Sequence, residues 1–143
     1  TAGGMTAGAL VEFHTRHKLL LMSHSVEADR RLGRLVAGVG KRDKEELFGA
    51  YLEELSFSLK LTATVRKHRN VLQHIMGYFK RSLSPDEKQE LLEVIDSYAG
   101  GLVPLIVPVT LLNHYVRKYG EKYLAKQHYL SPHPLELKLR NHV

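Results

Sequence analysis

Apolar residues along this chain recur every three or four positions, the spacing that places side chains on one face of an α-helix. The first series is Leu10, Phe13, Leu20, Leu21, Leu32, Leu35 and Val36. Ser25 interrupts it with a hydroxyl able to accept from the free amides of a following turn. The pattern predicts a first helix over 8–24 and a second over 26–38, ended by Gly38 and Gly40. Asp43 is placed to cap a third helix carrying Leu47, Phe48, Tyr51, Leu52, Leu55 and Leu59. Thr62 or Thr64 opens a fourth, with Val65, Leu72, Ile75, Met76 and Phe79 on its apolar side. The clearest start signal is Ser84-Pro85-Asp86-Glu87. Serine caps, proline takes the first helical position where no N–H is missed, and the glutamate completes a capping box. That fifth helix runs to Ala99 and stops at Gly100-Gly101. Pro104 and Pro108 bracket an apolar segment, and Pro108 falls in or near the first turn of a sixth helix reaching Tyr119. A last short helix is expected over 121–129, before Ser131-Pro132-His133-Pro134 holds the chain extended and the tail from Leu135 adds a turn or two.

No strand alternation persists and no repeat period appears, so the fold class is all-α. The expected architecture is a single-domain irregular bundle of six or seven helices over 10–143. Residues 1–9, rich in Gly and Ala, read as a linker or tag remnant.

Composition narrows the chemistry. The 143 residues are 43% hydrophobic and 25% charged, a globular balance that can bury a core without staples. There is no cysteine, which excludes a disulfide, a thiolate nucleophile or iron–sulfur ligation by this chain and fits a reducing cytoplasm. The longest apolar stretch, Leu102 to Leu112, is too short to span a bilayer and holds two prolines. The opening residues lack the regions of a secretory signal, so a cytoplasmic protein with no membrane partner is expected.

The net charge of +6 is unevenly spread. Residues 62–81 hold five Lys/Arg and no Asp/Glu, whereas 43–61 and 82–96 are each net acidic. Part of this alternation is expected to cancel internally, leaving the remainder as a field for phosphate, nucleic acid or an acidic protein. In the run RKHRNVLQHIMGYFKR (66–81), Arg66, Arg69, Asn70, Gln73, Lys80 and Arg81 surround His74 and Tyr78. On a continuous helix Arg66, Asn70, Gln73 and Lys80 share a polar face, and Gly77 leaves room on it for close approach. The alternative is that the acidic helices neutralise the run.

Nine histidines are present, and His14, His17 and His24 lie along one stripe of the first helix beside Arg16 and Lys18. Such a stripe can grip an anion, share a metal between His14 and His17, or consist of half-buried rings bonded to their neighbours. Glu12 is the sole carboxylate on that helix, so a ligand set is missing and neither metal nor cofactor is expected. His114 stands with Arg117 and Lys118 near a helix C-terminus, where cations pair with the helix dipole. Arg140-Asn141-His142 either frays or folds back into the same site. Seven tyrosines and four phenylalanines sit mostly at core spacing, so no base-stacking platform is evident, although Tyr78, Tyr115, Tyr119, Tyr123 and Tyr129 suit amphipathic contacts. No phosphate loop, nucleophile elbow, HExxH or paired carboxylate names a reaction.

Four separated motifs, FHTRHKLLLMSHS (13–25), NVLQHIMGYFK (70–80), LVPLIVPVTLLNHY (102–115) and YLSPHPLELKLRNHV (129–143), resemble the YbgA-type bacterial domain of unknown function. The resemblance implies a helical domain that often stands behind a TudS-like thiouracil desulfidase, a cysteine-ligated iron–sulfur module. With no cysteine here, that activity does not carry over. The resemblance brings no catalytic residues, but its motifs coincide with His14, Arg16, His17, Lys18, Asn70, Gln73, His74, Tyr78, Lys80, Arg140 and Asn141. Arg69 departs from it, standing where similar chains often carry a smaller residue. The expected function is an accessory binding domain, not catalytic on its own, that holds a nucleotide or tRNA for the desulfidase partner. The first and fourth helices would share its basic face. An enzyme using His74 or His17 as general acid/base on a nucleotide, or a structural domain that docks or dimerises, are the alternatives.

Overall fold

Capping decides where the helices begin in the computed structural model, which describes residues 6–131. Each of the first five opens on a side chain that accepts from an otherwise unpaired backbone amide. Thr6 accepts from Ala9, Ser25 from Ala28, Asp43 from Glu46, Thr64 from Lys67 and Ser84 from Glu87. The helices are α1 (Ala7–His24), α2 (Val26–Ala37), α3 (Lys44–Lys60), α4 (Val65–Gly77), α5 (Pro85–Ala99), α6 (Ile106–Tyr119) and α7 (Lys122–Ala125). Among the described residues there is no strand, as the spacing predicts. Helix α1 starts inside the stretch read as a linker, because Thr6 supplies its cap.

The described residues group into two compact units, which meet in the chain between Ala63 and Thr64. In the first, α1, α2 and α3 pack on one another. Its core is Leu10, Leu21, Leu32, Leu47, Phe48 and Tyr51, with Phe13, Leu35 and Val36 against it. Burying each such side chain contributes about 1.5–3 kcal/mol. The expected apolar face of α3 is narrower than its leucines suggest. Leu52 is 57% and Leu59 44% exposed, while Ser58 is buried with its hydroxyl donating to the Leu55 carbonyl. Helix phase explains this: positions 47, 51, 55 and 58 follow one stripe, and 52 and 59 fall on its flank.

In the second unit α4 packs on α5, α5 on α6, and α6 on α7 and a following 3-10 turn (His128–Leu130). Pro108 lies in the first turn of α6, where its missing N–H leaves no carbonyl unpaired. Gly120 ends α6 at φ 63°, the left-handed conformation that glycine adopts without strain. The single helix expected over 121–129 is instead α7 and the 3-10 turn, separated at Gln127 with ψ 123°. That break lets Tyr129 and Leu130 bury fully, and Asn113 Nδ2 donates to the Leu130 carbonyl. Burial there outweighs helix continuity. The expected extended stretch after Ser131 and the tail lie outside the described residues.

A candidate anion-binding site on the second unit

Helix α4 buries His68, Val71, Leu72 and Ile75 and leaves Arg66, Arg69, Asn70, Gln73 and His74 exposed. The polar face read from sequence is therefore a real face. It does not continue as helix to Lys80, however. The helix ends at Gly77, and tighter bonds (Tyr78 N–H to the Ile75 carbonyl, Phe79 to Met76, Lys80 to Gly77) carry the chain into turns.

The neutralisation expected from the acidic helices is partial. Arg69 Nη2 lies 3.5 Å from Asp96 Oδ1, an exposed pair. Three other carboxylates of α5 are engaged elsewhere, and Asp86 is exposed in its first turn. Glu87 accepts from Lys118 Nζ at 2.9 Å, from the Tyr119 hydroxyl and from the Ser84 amide; Glu90 accepts from the Tyr115 hydroxyl at 3.2 Å; Glu93 accepts from Gln89. These contacts hold the Glu87 carboxyl down at about 2, through the Tyr119 hydroxyl first and then Lys118 and the Ser84 amide. Lys118, grouped with His114 in the sequence, is thus committed to Glu87. Among the described residues Arg66, Lys80 and Arg81 form no ion pair. An open groove of about 390 Å³ reaches Lys80, with Gln73, Gly77 and Lys80 on one side and Lys88 and Leu92 of α5 on the other.

Aromatic placement brings together two tyrosines that the sequence leaves far apart. The rings of Tyr78 and Tyr123 stack at 5.2 Å between centroids and 12° between planes, and His74 meets Tyr78 edge-on at 5.8 Å. Tyr78 stays 39% exposed. Lys122 and Lys126, one before and three after Tyr123, are exposed and form no ion pair among the described residues. Sequence reasoning missed both lysines, because only the fold brings α7 to the end of α4. It also passed over His68, whose Nδ1 lies 2.6 Å from the buried Tyr129 hydroxyl, with the Tyr98 ring edge-on to it.

His14, Arg16, His17 and Lys18 belong to the first unit. His14 is half-buried, its Nδ1 bonded to the Tyr51 hydroxyl at 3.0 Å and its Nε2 3.8 Å from Asp29 Oδ1. Burial lowers its pKa, helped by Lys18. His17 Nδ1 donates to the Phe13 carbonyl at 2.8 Å and its ring stacks on Phe13, while His24 Nδ1 donates to the Leu61 carbonyl at 2.7 Å. Arg16 pairs with Glu12 at 2.7 Å and Lys18 approaches Asp29 at 4.0 Å. This is the geometry of the half-buried alternative: rings bonded to neighbours, cations partly matched. No three His, Asp or Glu side chains among the described residues are grouped to hold a metal ion. Arg140 and Asn141 lie outside the described residues.

A family model described as "Protein of unknown function (DUF1722)" matches residues 18–134. The uncharacterized protein YbgA of Escherichia coli (strain K12) is 34% identical over 139 residues, covering 96% of this chain and 82% of that protein. The chain belongs to the DUF1722 family. The YbgA-type resemblance of the four motifs is thus a family membership, and α4 with its groove lies wholly inside the matched span, whereas His14, Arg16 and His17 precede it. No solved structure matches the chain. No helix among the described residues is long and apolar enough to cross a membrane.

Proposed function

We propose that this is an accessory binding domain of the cytoplasm whose α4 face holds the phosphates of a nucleotide or an RNA for a partner of the thiouracil desulfidase type. The observation that carries the reading is that Arg66, Lys80 and Arg81 stand without a carboxylate among the described residues, while exposed Asn70, Gln73 and His74 lie between them. Positively charged side chains left unpaired beside neutral hydrogen-bonding groups suit phosphate oxygens, which accept from both. The Tyr78–Tyr123 stack favours nucleic acid over a simple anion, since every base has a face to lay on an aromatic ring. Sulfur chemistry would reside in the partner, because this chain supplies no thiolate.

Fluorescence anisotropy with labelled tRNA at two salt concentrations tests this, with 4-thiouridine monophosphate and inorganic phosphate as smaller ligands. Three phosphate contacts predict a slope of log affinity against log salt of about −2 to −3. The triple variant Arg66→Gln, Lys80→Gln, Arg81→Gln should bind more weakly and flatten that slope. Absence of binding to all three ligands, or a triple variant with unchanged affinity and slope, would sink the proposal.

A further inference from the structure

The groove between α4 and α5 has a character that the polar face does not. Its floor is apolar, built from Met76, Phe79 and Leu83, with Leu92 on the rim 41% exposed. Its rim carries two cations, Lys80 from the turn after α4 and Lys88 from α5, together with the Gln73 amide. Neither lysine forms an ion pair among the described residues, and no carboxylate lines the groove. At about 390 Å³ it falls in the range of pockets that hold small molecules, which are mostly apolar with a few placed polar groups. Gly77 widens the opening. A Cβ built there meets nothing within 4 Å, so the surrounding protein gives no steric reason for glycine. Gly77 is the last residue of α4, and the space it leaves faces the groove.

We propose that this groove is a separate small-molecule site for an organic monophosphate with a flat apolar body. The body lies on Met76, Phe79 and Leu83, and the phosphate, close to a dianion at neutral pH, takes Lys80 and Lys88 with the Gln73 amide as a neutral donor. Because Gln73 lies on the α4 face and Lys80 in the turn that follows it serves the same phosphates, an occupant of the groove competes with a polyanion bound there.

The test uses 1-naphthyl phosphate as probe on the full chain, followed by calorimetry and by the NMR shift of the Gly77 amide. Binding should move that amide, and inorganic phosphate and 1-naphthol should each bind at least tenfold more weakly than the joined molecule. Lys88→Gln, a half-exposed position, should weaken the probe about tenfold and leave the tRNA affinity of the α4 face unchanged. Gly77→Leu should block the groove while the protein still folds. An unmoved Gly77 amide, equal binding of inorganic phosphate, or a Lys88→Gln variant of undiminished affinity would each overturn the proposal. Should the probe fail while tRNA still binds with a steep salt slope, the groove alone is refuted and the α4 face stands.

Discussion

Replacing Asp29 by asparagine should stabilise the protein at neutral pH. Asp29 is 5% exposed on α2, and its Oδ1 has no hydrogen-bond partner. One cation is near, Lys18 with Nζ at 4.0 Å from Oδ2, and the His14 ring, whose pKa burial lowers, brings Nε2 to 3.8 Å from Oδ1. Burial nevertheless raises the carboxyl above its ordinary 3.8, and attraction to Lys18 and Arg30 offsets only part of that. A carboxyl raised in the fold binds its proton more tightly there than in the unfolded chain. Stability therefore falls as pH rises through 3.8 and levels off above the raised folded value. At pH 7 the fold carries the full penalty. A buried polar atom without a partner costs about 1–3 kcal/mol, and a half-exposed ion pair returns about 0.5 kcal/mol, so the net is on the order of 1 kcal/mol. Asparagine keeps the shape, removes the charge, and still offers an oxygen to His14 Nε2. Melting followed by circular dichroism should show Asp29→Asn higher by roughly 2–4 °C at pH 7. As pH falls toward 3.8 the native carboxyl takes up its proton before the unfolded one does, and the gap should shrink. A variant that melts lower than the parent at pH 7, or a gap that widens in acid, would show that the carboxylate is a net favourable partner for Lys18.

Three further substitutions probe the second unit. Tyr129→Phe removes the buried hydroxyl at His68 Nδ1 and should cost about 1–2 kcal/mol in urea unfolding; no change would mean that this bond is replaced at no cost. Ser84→Ala removes the hydroxyl half of the capping box, leaving the backbone amide of residue 84 to donate to Glu87, and should cost about 1 kcal/mol, while Ser84→Gly should cost only a few tenths, an ordering that chemical denaturation can check. Glu87 is depressed to about 2, so its contribution is present above its ordinary 4.5 and is lost as pH falls toward 2. Acid titration of Glu87→Gln should accordingly show a smaller loss of stability between these values than the parent does, and an unchanged acid profile would refute the assignment.

What the sequence reveals is what neighbours along the chain decide. The Ser84-Pro85-Asp86-Glu87 box, the Asp43 cap and the Gly120 stop need only residues three or four apart, and each forms where its chemistry places it. The acid-free run 62–81 likewise shows its exposed Arg66, Asn70 and Gln73 in the bare letters. Partnership across helices is hidden there. Nothing local indicates that Asp96 takes Arg69 while Glu87 and Glu90 turn to α6, because that depends on how α5 is rotated about its own axis. Gln127 carries no breaking signal, and α7 stops because burying Tyr129 requires it. Tyr123 reads as one amphipathic tyrosine among several until the fold lays it on Tyr78.

The division of α5 has a consequence for how this surface can be lost. One residue inserted early in 85–99 would turn every later side chain by about 100° relative to its neighbours. Carboxylates now committed to α6 would swing out of reach of Tyr115, Lys118 and Tyr119 and come free to meet arginine and lysine on the opposite flank. Electropositive character on α4 would then be quenched without a single basic residue having changed, so its persistence is guarded as much by the phase of an acidic helix as by the cations themselves.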